Sequence, residues 1–293
     1  MTDIVFSSEQ ITTFIVMLAL IVLLPIVFFV RFYMTHKPKL VSFFVGCLGG
    51  FMVVAGKYLL DMIFVVWLGL GEFINPDIHP VYTALYVALI TAIMMTFATW
   101  ILLRYGMVGR EGRENALLML IGKGGIYAVA YGAVSMTTYL SVALTVNQNG
   151  LASYLQPIAE QATRDAQQKA VTALAGRSVV EIVSEGLFHI LIMFLQIALG
   201  VLIYMSIHKT KDILSKQKMA HIKNKEKQDL AWYEKRTEGL IPLTVLLQAL
   251  AIFPFAILQV GLATDYSLIM AAAVLLLTIM TCFGCYTVYK QLN

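Results

Sequence analysis

Apolar residues fall in long runs, roughly 11–33, 39–70, 81–105, 114–146, 178–207, 239–262 and 267–289, separated by polar stretches. A helix needs about 20 such residues to cross a hydrocarbon core about 30 Å thick. Peptide groups cannot stay unpaired in lipid, and the residue-by-residue alternation of a barrel strand is absent. The pattern therefore predicts an all-α polytopic membrane protein, one domain of seven transmembrane helices. The first run has no basic residue before it and no small-residue cleavage site after it, so it reads as a span rather than a leader.

Two connections are long enough for structure of their own. Segment 147–177 carries Leu151, Leu155, Ile158, Ala162 and Ala166 on one helical side and Glu160, Gln161, Arg164, Gln167 and Gln168 on another. It predicts an amphipathic helix that lies on the membrane or caps the bundle, with Pro157 in its first turn, where a missing N–H costs nothing. Segment 208–238 holds nine basic residues, with Trp232 and Tyr233 placed as interfacial anchors before the next span.

Charge then sets an orientation. Arg31, Lys37 and Lys39, then Arg104, Arg110 and Arg113, then the nine in 208–238, all fall on one side of a seven-span topology. The other side holds Arg164, Lys169 and Arg177, with Glu72 and Asp77 making one connection acidic. Basic loops stay inside, so the N-terminus is expected outside, in a cytoplasmic membrane of bacterial type. The net charge of +4 belongs to that inner face and is not a nucleic-acid signal. Cys47, Cys282 and Cys285 all lie within runs and read as small apolar residues.

The apolar composition, 59% against 13% charged, makes each embedded ionisable group conspicuous. Such a group costs several kcal/mol in lipid unless it is paired or hydrated, and so marks a functional or structural site. Lys57 and Asp61 stand i, i+4 and share a helix face, which suits an ion pair. Glu181, Glu185 and His189 form an i, i+4, i+8 ladder, chemically suited to a zinc ion or a proton path, though the two glutamates lie near a helix end. Lys123 sits in Gly122-Lys123-Gly124-Gly125-Ile126-Tyr127, with Tyr127 and Tyr131 on its stripe. Glycines let helices approach closely, here and at Gly46 and Gly50. A lysine-activated serine is also open, with Ser184 as the nearby hydroxyl and Ser135 too far along the helix from Lys123.

These residues carry a resemblance. The chain is similar to the YhfC family of intramembrane metalloproteases, relatives of CAAX prenyl proteases and bacteriocin-immunity membrane proteins. The first two spans, with LIVLLPIVFFVRFYMTHKPKLVSFFVGCLGGF, resemble the family's opening run. GREGRENALLMLIGKGGIYAVAYGAVS is similar to a segment ending Gly-His-Gly-Gly-Ile-Glu-Ala, and FLQIALGVLIYMSIHK to one reading His-Ile-Ala-Leu-Ser. The resemblance implies a metal-ligand histidine where this chain has Lys123, a glutamate at Tyr127, a second histidine at Gln196, and paired glutamates near Met94 and Met95. Residues 78–110 contain no acid at all.

Every implied ligand and carboxylate base is thus replaced, and an ammonium repels a divalent cation. The sequence predicts an inert member of the fold with no catalytic residues, no cofactor and no metal. Lys123 is expected to pair with Glu181, Glu185 or Asp61, and the bundle to hold a transmembrane or lipidated partner within the lipid bilayer. The alternatives are an active zinc peptidase, with Glu181, Glu185 and His189 as substitute ligands, and a proton- or ion-coupled transporter acting through Asp61. No internal repeat supports transport, although Pro242 and Pro254 fall in one span.

Overall fold

The structure, a computed structural model, describes residues 4–76, 78–110, 112–158, 160–219 and 240–259, with 275, 278, 279 and 282 besides. Among the described residues every regular element is helical. Helix α1 spans Ser8–His36, α2 Val41–Asp61, α3 Pro80–Ile101, α4 Arg113–Ala128, α5 Val134–Leu155, α6 Gln161–Ala175, α7 Val179–Met219 and α8 Leu240–Gln259.

Three π-helical turns extend these elements. Met62–Trp67 follows α2, Leu102–Gly106 follows α3, and Val129–Ala133 joins α4 to α5 without a break. A π turn inserts an extra residue and rotates the side chains beyond it, and such turns concentrate at functional sites.

Local chemistry explains the helix boundaries. Ser7 and Gln10 form a reciprocal capping box at the start of α1, and Lys37 closes it in the left-handed conformation, its N–H on the Tyr33 carbonyl. Pro80 opens α3, where its missing N–H is harmless. Among the described residues five helical stretches are long and apolar enough to cross a membrane: Ser8–His36, Val41–Trp67, Pro80–Gly106, Arg113–Leu155 and Val179–Ile207. The sixth expected span corresponds to α8, whose apolar part, Ile241–Ile257, is shorter. The seventh lies almost wholly outside the described residues, as does most of 208–238, although α7 runs on to Met219.

The α4–α5 span and α7 are the most enclosed, while α1 and α2 turn much of their surface outward. Glycines fix the α4–α7 register. A Cβ added at Gly124 would stand 3.1 Å from Met193, one at Gly132 2.8 Å from His189, and one at Gly200 would meet Leu120. Residue numbers rise along one helix as they fall along the other, so the pair is antiparallel. On its other side α4 presses against α2, where Gly46 faces the Met119 carbonyl and Gly122 the Phe43 carbonyl.

The segment after α5 departs from the expected helix. Gly150, at φ 78°, breaks α5, and Leu151 and Leu155 belong to that helix rather than to α6. Pro157 lies in the turn between the two, and α6 begins only at Gln161. Its buried anchors are Val171 and Leu174, while Ala166 is exposed. The larger side chains win the inward face because they bury more apolar area than alanine can. Gln10 then ties the end of α6 to α1, its amide donating to the carbonyls of Ala175 at 3.0 Å and Arg177 at 2.7 Å.

Candidate functional site: a polar centre inside the bundle

Positions far apart in the sequence converge at the α4–α7 contact. The Lys123 ammonium donates to Oε1 of Gln196 at 3.0 Å, with both residues almost completely buried. One turn along α4, Tyr127 enters a core cluster with Met95, Phe188, Ile192 and Leu195, and Met94 packs against it. The five positions to which the resemblance assigns metal chemistry, Lys123, Tyr127, Gln196, Met94 and Met95, thus gather in one region of the bundle. Helix α8 closes it, with Gln248 accepting from Thr96 at 3.2 Å and Phe255 stacked on Phe188 at 3.9 Å.

The acids stand elsewhere, which corrects the expected pairing of Lys123. Asp61 accepts from Lys57 at 2.6 Å and from the Tyr86 hydroxyl at 2.9 Å. Glu185 accepts from Arg177 at 2.6 Å and from Tyr139 at 3.0 Å, and the Arg177 guanidinium lies 5.1 Å from the Tyr139 ring centre. Burial alone would lower the Arg177 pKa, but Glu185 and Tyr139 outweigh it and the net shift is upward.

Glu181 accepts from the backbone N–H of Ser178 at 2.7 Å while its own N–H donates back to the Ser178 hydroxyl at 3.3 Å. That is a capping box, and the spacing Ser178-x-x-Glu181 was its legible signal. The ladder of Glu181, Glu185 and His189 is therefore not drawn together. One glutamate caps its own helix and the next holds an arginine, while the histidine lies deeper against Gly132, Phe188 and Phe255.

Among the described residues no group of three His, Cys, Asp or Glu side chains stands close enough to hold a metal ion. Lys123 and Ser184 do not stand together. Ser184 donates to the Val180 carbonyl at 2.7 Å, and twelve residues of helix put it about 18 Å along α7 from Gln196, Lys123's partner.

Several partners carried no sequence signal: Tyr86 for Asp61, Tyr139 and Arg177 for Glu185, and Thr96 for Gln248. Each pair joins residues on different helices or turns, so no periodicity announces it. The Arg177–Glu185–Tyr139 knot ties the end of the α6 connection to α5 and α7. Arg177→Met is expected to lower the melting temperature by a few degrees and to speed protease cutting within 156–178, while Lys169→Met, on an exposed position, leaves both unchanged.

A polytopic helical bundle with a buried polar centre defines the class: an integral membrane protein. The chain belongs to the YhfC intramembrane metalloprotease family, which it matches over residues 20–221. Neither the curated proteins nor the solved structures give a match.

At the positions that the resemblance assigns to a metal, the side chains do not suit a zinc ion. Lys123 has no lone pair to give while charged, the Gln196 amide oxygen already accepts from Lys123, and methionines and a tyrosine supply the rest. Zinc sites are built from thiolate, imidazole and carboxylate.

Proposed function

We propose that this chain is a non-catalytic member of its family, which binds a transmembrane or lipidated partner and does not cleave it. One observation supports the reading: the positions to which the resemblance assigns ligands and base lie in one region of the bundle, and they hold Lys123, Gln196, Tyr127, Met94 and Met95. A methionine pair cannot take a proton from water, and the ammonium replaces the charge of a cation without its Lewis acidity. Retained glycine faces keep the scaffold closed around this inert centre. In the bilayer the chain takes the orientation set by its basic loops, N-terminus outside, which reporter fusions at each connection test.

The family's own activity supports a second reading, an active zinc peptidase. One experiment separates the two. Protein purified without chelators is expected to contain no stoichiometric zinc by mass spectrometry and to leave transmembrane reporter substrates intact. Stoichiometric zinc, or cleavage abolished by chelation, overturns the inert reading. The triple variant Lys123→His/Tyr127→Glu/Gln196→His is expected to take up zinc where the parent does not.

A further inference from the structure

Two buried residues at the α4–α7 contact leave donors without acceptors. Lys123 has three N–H groups and, among the described residues, one side-chain hydrogen bond, to Gln196 Oε1. The Gln196 amide nitrogen is buried with no partner among the described residues. A lysine can only donate, so the amide must turn its oxygen to Lys123 and its NH₂ away, which fixes the assignment chemically. The pair's single side-chain acceptor atom, Gln196 Oε1, already accepts from Lys123. No carboxylate among the described residues pairs with Lys123, since Asp61, Glu181 and Glu185 are each held elsewhere.

We propose that the Lys123–Gln196 pair binds a small monovalent anion of the chloride class. A buried ammonium in lipid is costly without a counter-charge, and stranded amide donors add to that cost. An anion relieves both at once, accepting from the ammonium and the amide while neutralising the site. A water molecule accepts too, but it is neutral and leaves the ammonium's charge uncompensated. Among the described residues His189 and Tyr131 also leave buried polar atoms unpartnered, but His189 lies about 10 Å along α7 from Gln196 and belongs to a separate level. The anion site is thus the inverse of a cation site: the ammonium that excludes zinc attracts chloride. The proposal rests on the inert reading in this respect alone, that the same place is not filled by a metal.

The test is equilibrium binding of radiolabelled chloride to detergent-purified protein of measured zinc content, with thermal stability followed in chloride and in gluconate at equal ionic strength. Saturable, near-stoichiometric binding and a higher melting temperature in chloride are expected, with binding lost in Lys123→Met. Gln196→Glu guards against misfolding. It supplies an internal carboxylate, and is expected to abolish chloride binding while the protein melts at the parental temperature or above.

Absence of saturable binding in zinc-free parent protein overturns the anion site and leaves the inert reading standing. Binding that survives in Lys123→Met also overturns it. Stoichiometric zinc in the parent instead sinks the inert reading itself.

Discussion

Gly46→Leu is expected to abolish the folded bundle, and Gly46→Ala to destabilise it by about 3 kcal/mol, the upper end for overpacking a tight core. A Cβ at this position would overlap the carbonyl oxygen of Met119 and stand 3.0 Å from the backbone nitrogen of Lys123. The obstacle is backbone on a neighbouring helix, which cannot swing aside as a side chain can. α2 must therefore move off α4, and the contacts at Gly50 and Gly122 open with it. In lipid no hydrophobic drive pulls two helices back together, so lost van der Waals packing is not recovered elsewhere. Thermal melting in detergent measures the effect. Gly176→Ala serves as a control, because nothing approaches an added Cβ there closer than 3.5 Å. Equal melting temperatures for Gly46→Ala and the control would refute the close α2–α4 contact.

The second large effect concerns Lys57 and Asp61. Lys57→Met leaves the partly buried Asp61 carboxylate in the span with, among the described residues, only the Tyr86 hydroxyl, and is expected to cost about 3 kcal/mol, the low end for breaking a buried ion pair. Replacing both partners, Lys57→Met/Asp61→Leu, is expected to restore most of the loss, because an apolar pair strands no charge. The coupling between the two changes is read from the four-protein cycle of melting curves. A double variant as unstable as the single would show that Asp61 does more than answer Lys57. Ion flux in liposomes that depends on Asp61 would then favour transport.

Those two sites differ in how far the sequence reveals them. The i, i+4 spacing of Lys57 and Asp61 is enough to anticipate their contact, since both lie on one helix whose geometry is fixed. The Lys123–Gln196 bond is not legible in that way. Charge alone pointed Lys123 toward Glu181, Glu185 or Asp61, and the structure gives each of those acids a nearer claimant: Ser178, Arg177 and Lys57. Complementary charge says which partners are favourable, and only the antiparallel register of α4 and α7 says which is within reach.

The sequence by itself determined the class of this protein, because a bilayer accepts few architectures and run length, apolar composition and glycine placement leave helices as the one that fits. It also pointed to the family, which the match over residues 20–221 shows. The tertiary structure decided how the polar residues are shared out. It set Lys123 on Gln196, made Glu181 a helix cap, spent Glu185 on Arg177 and Tyr139, and left His189 among aromatic rings. The physical reason is that spans are specified by local hydrophobicity, whereas a buried polar contact depends on the rotation and depth of two helices. Glycine contacts and π turns set those quantities, and neither leaves a periodic trace along the chain.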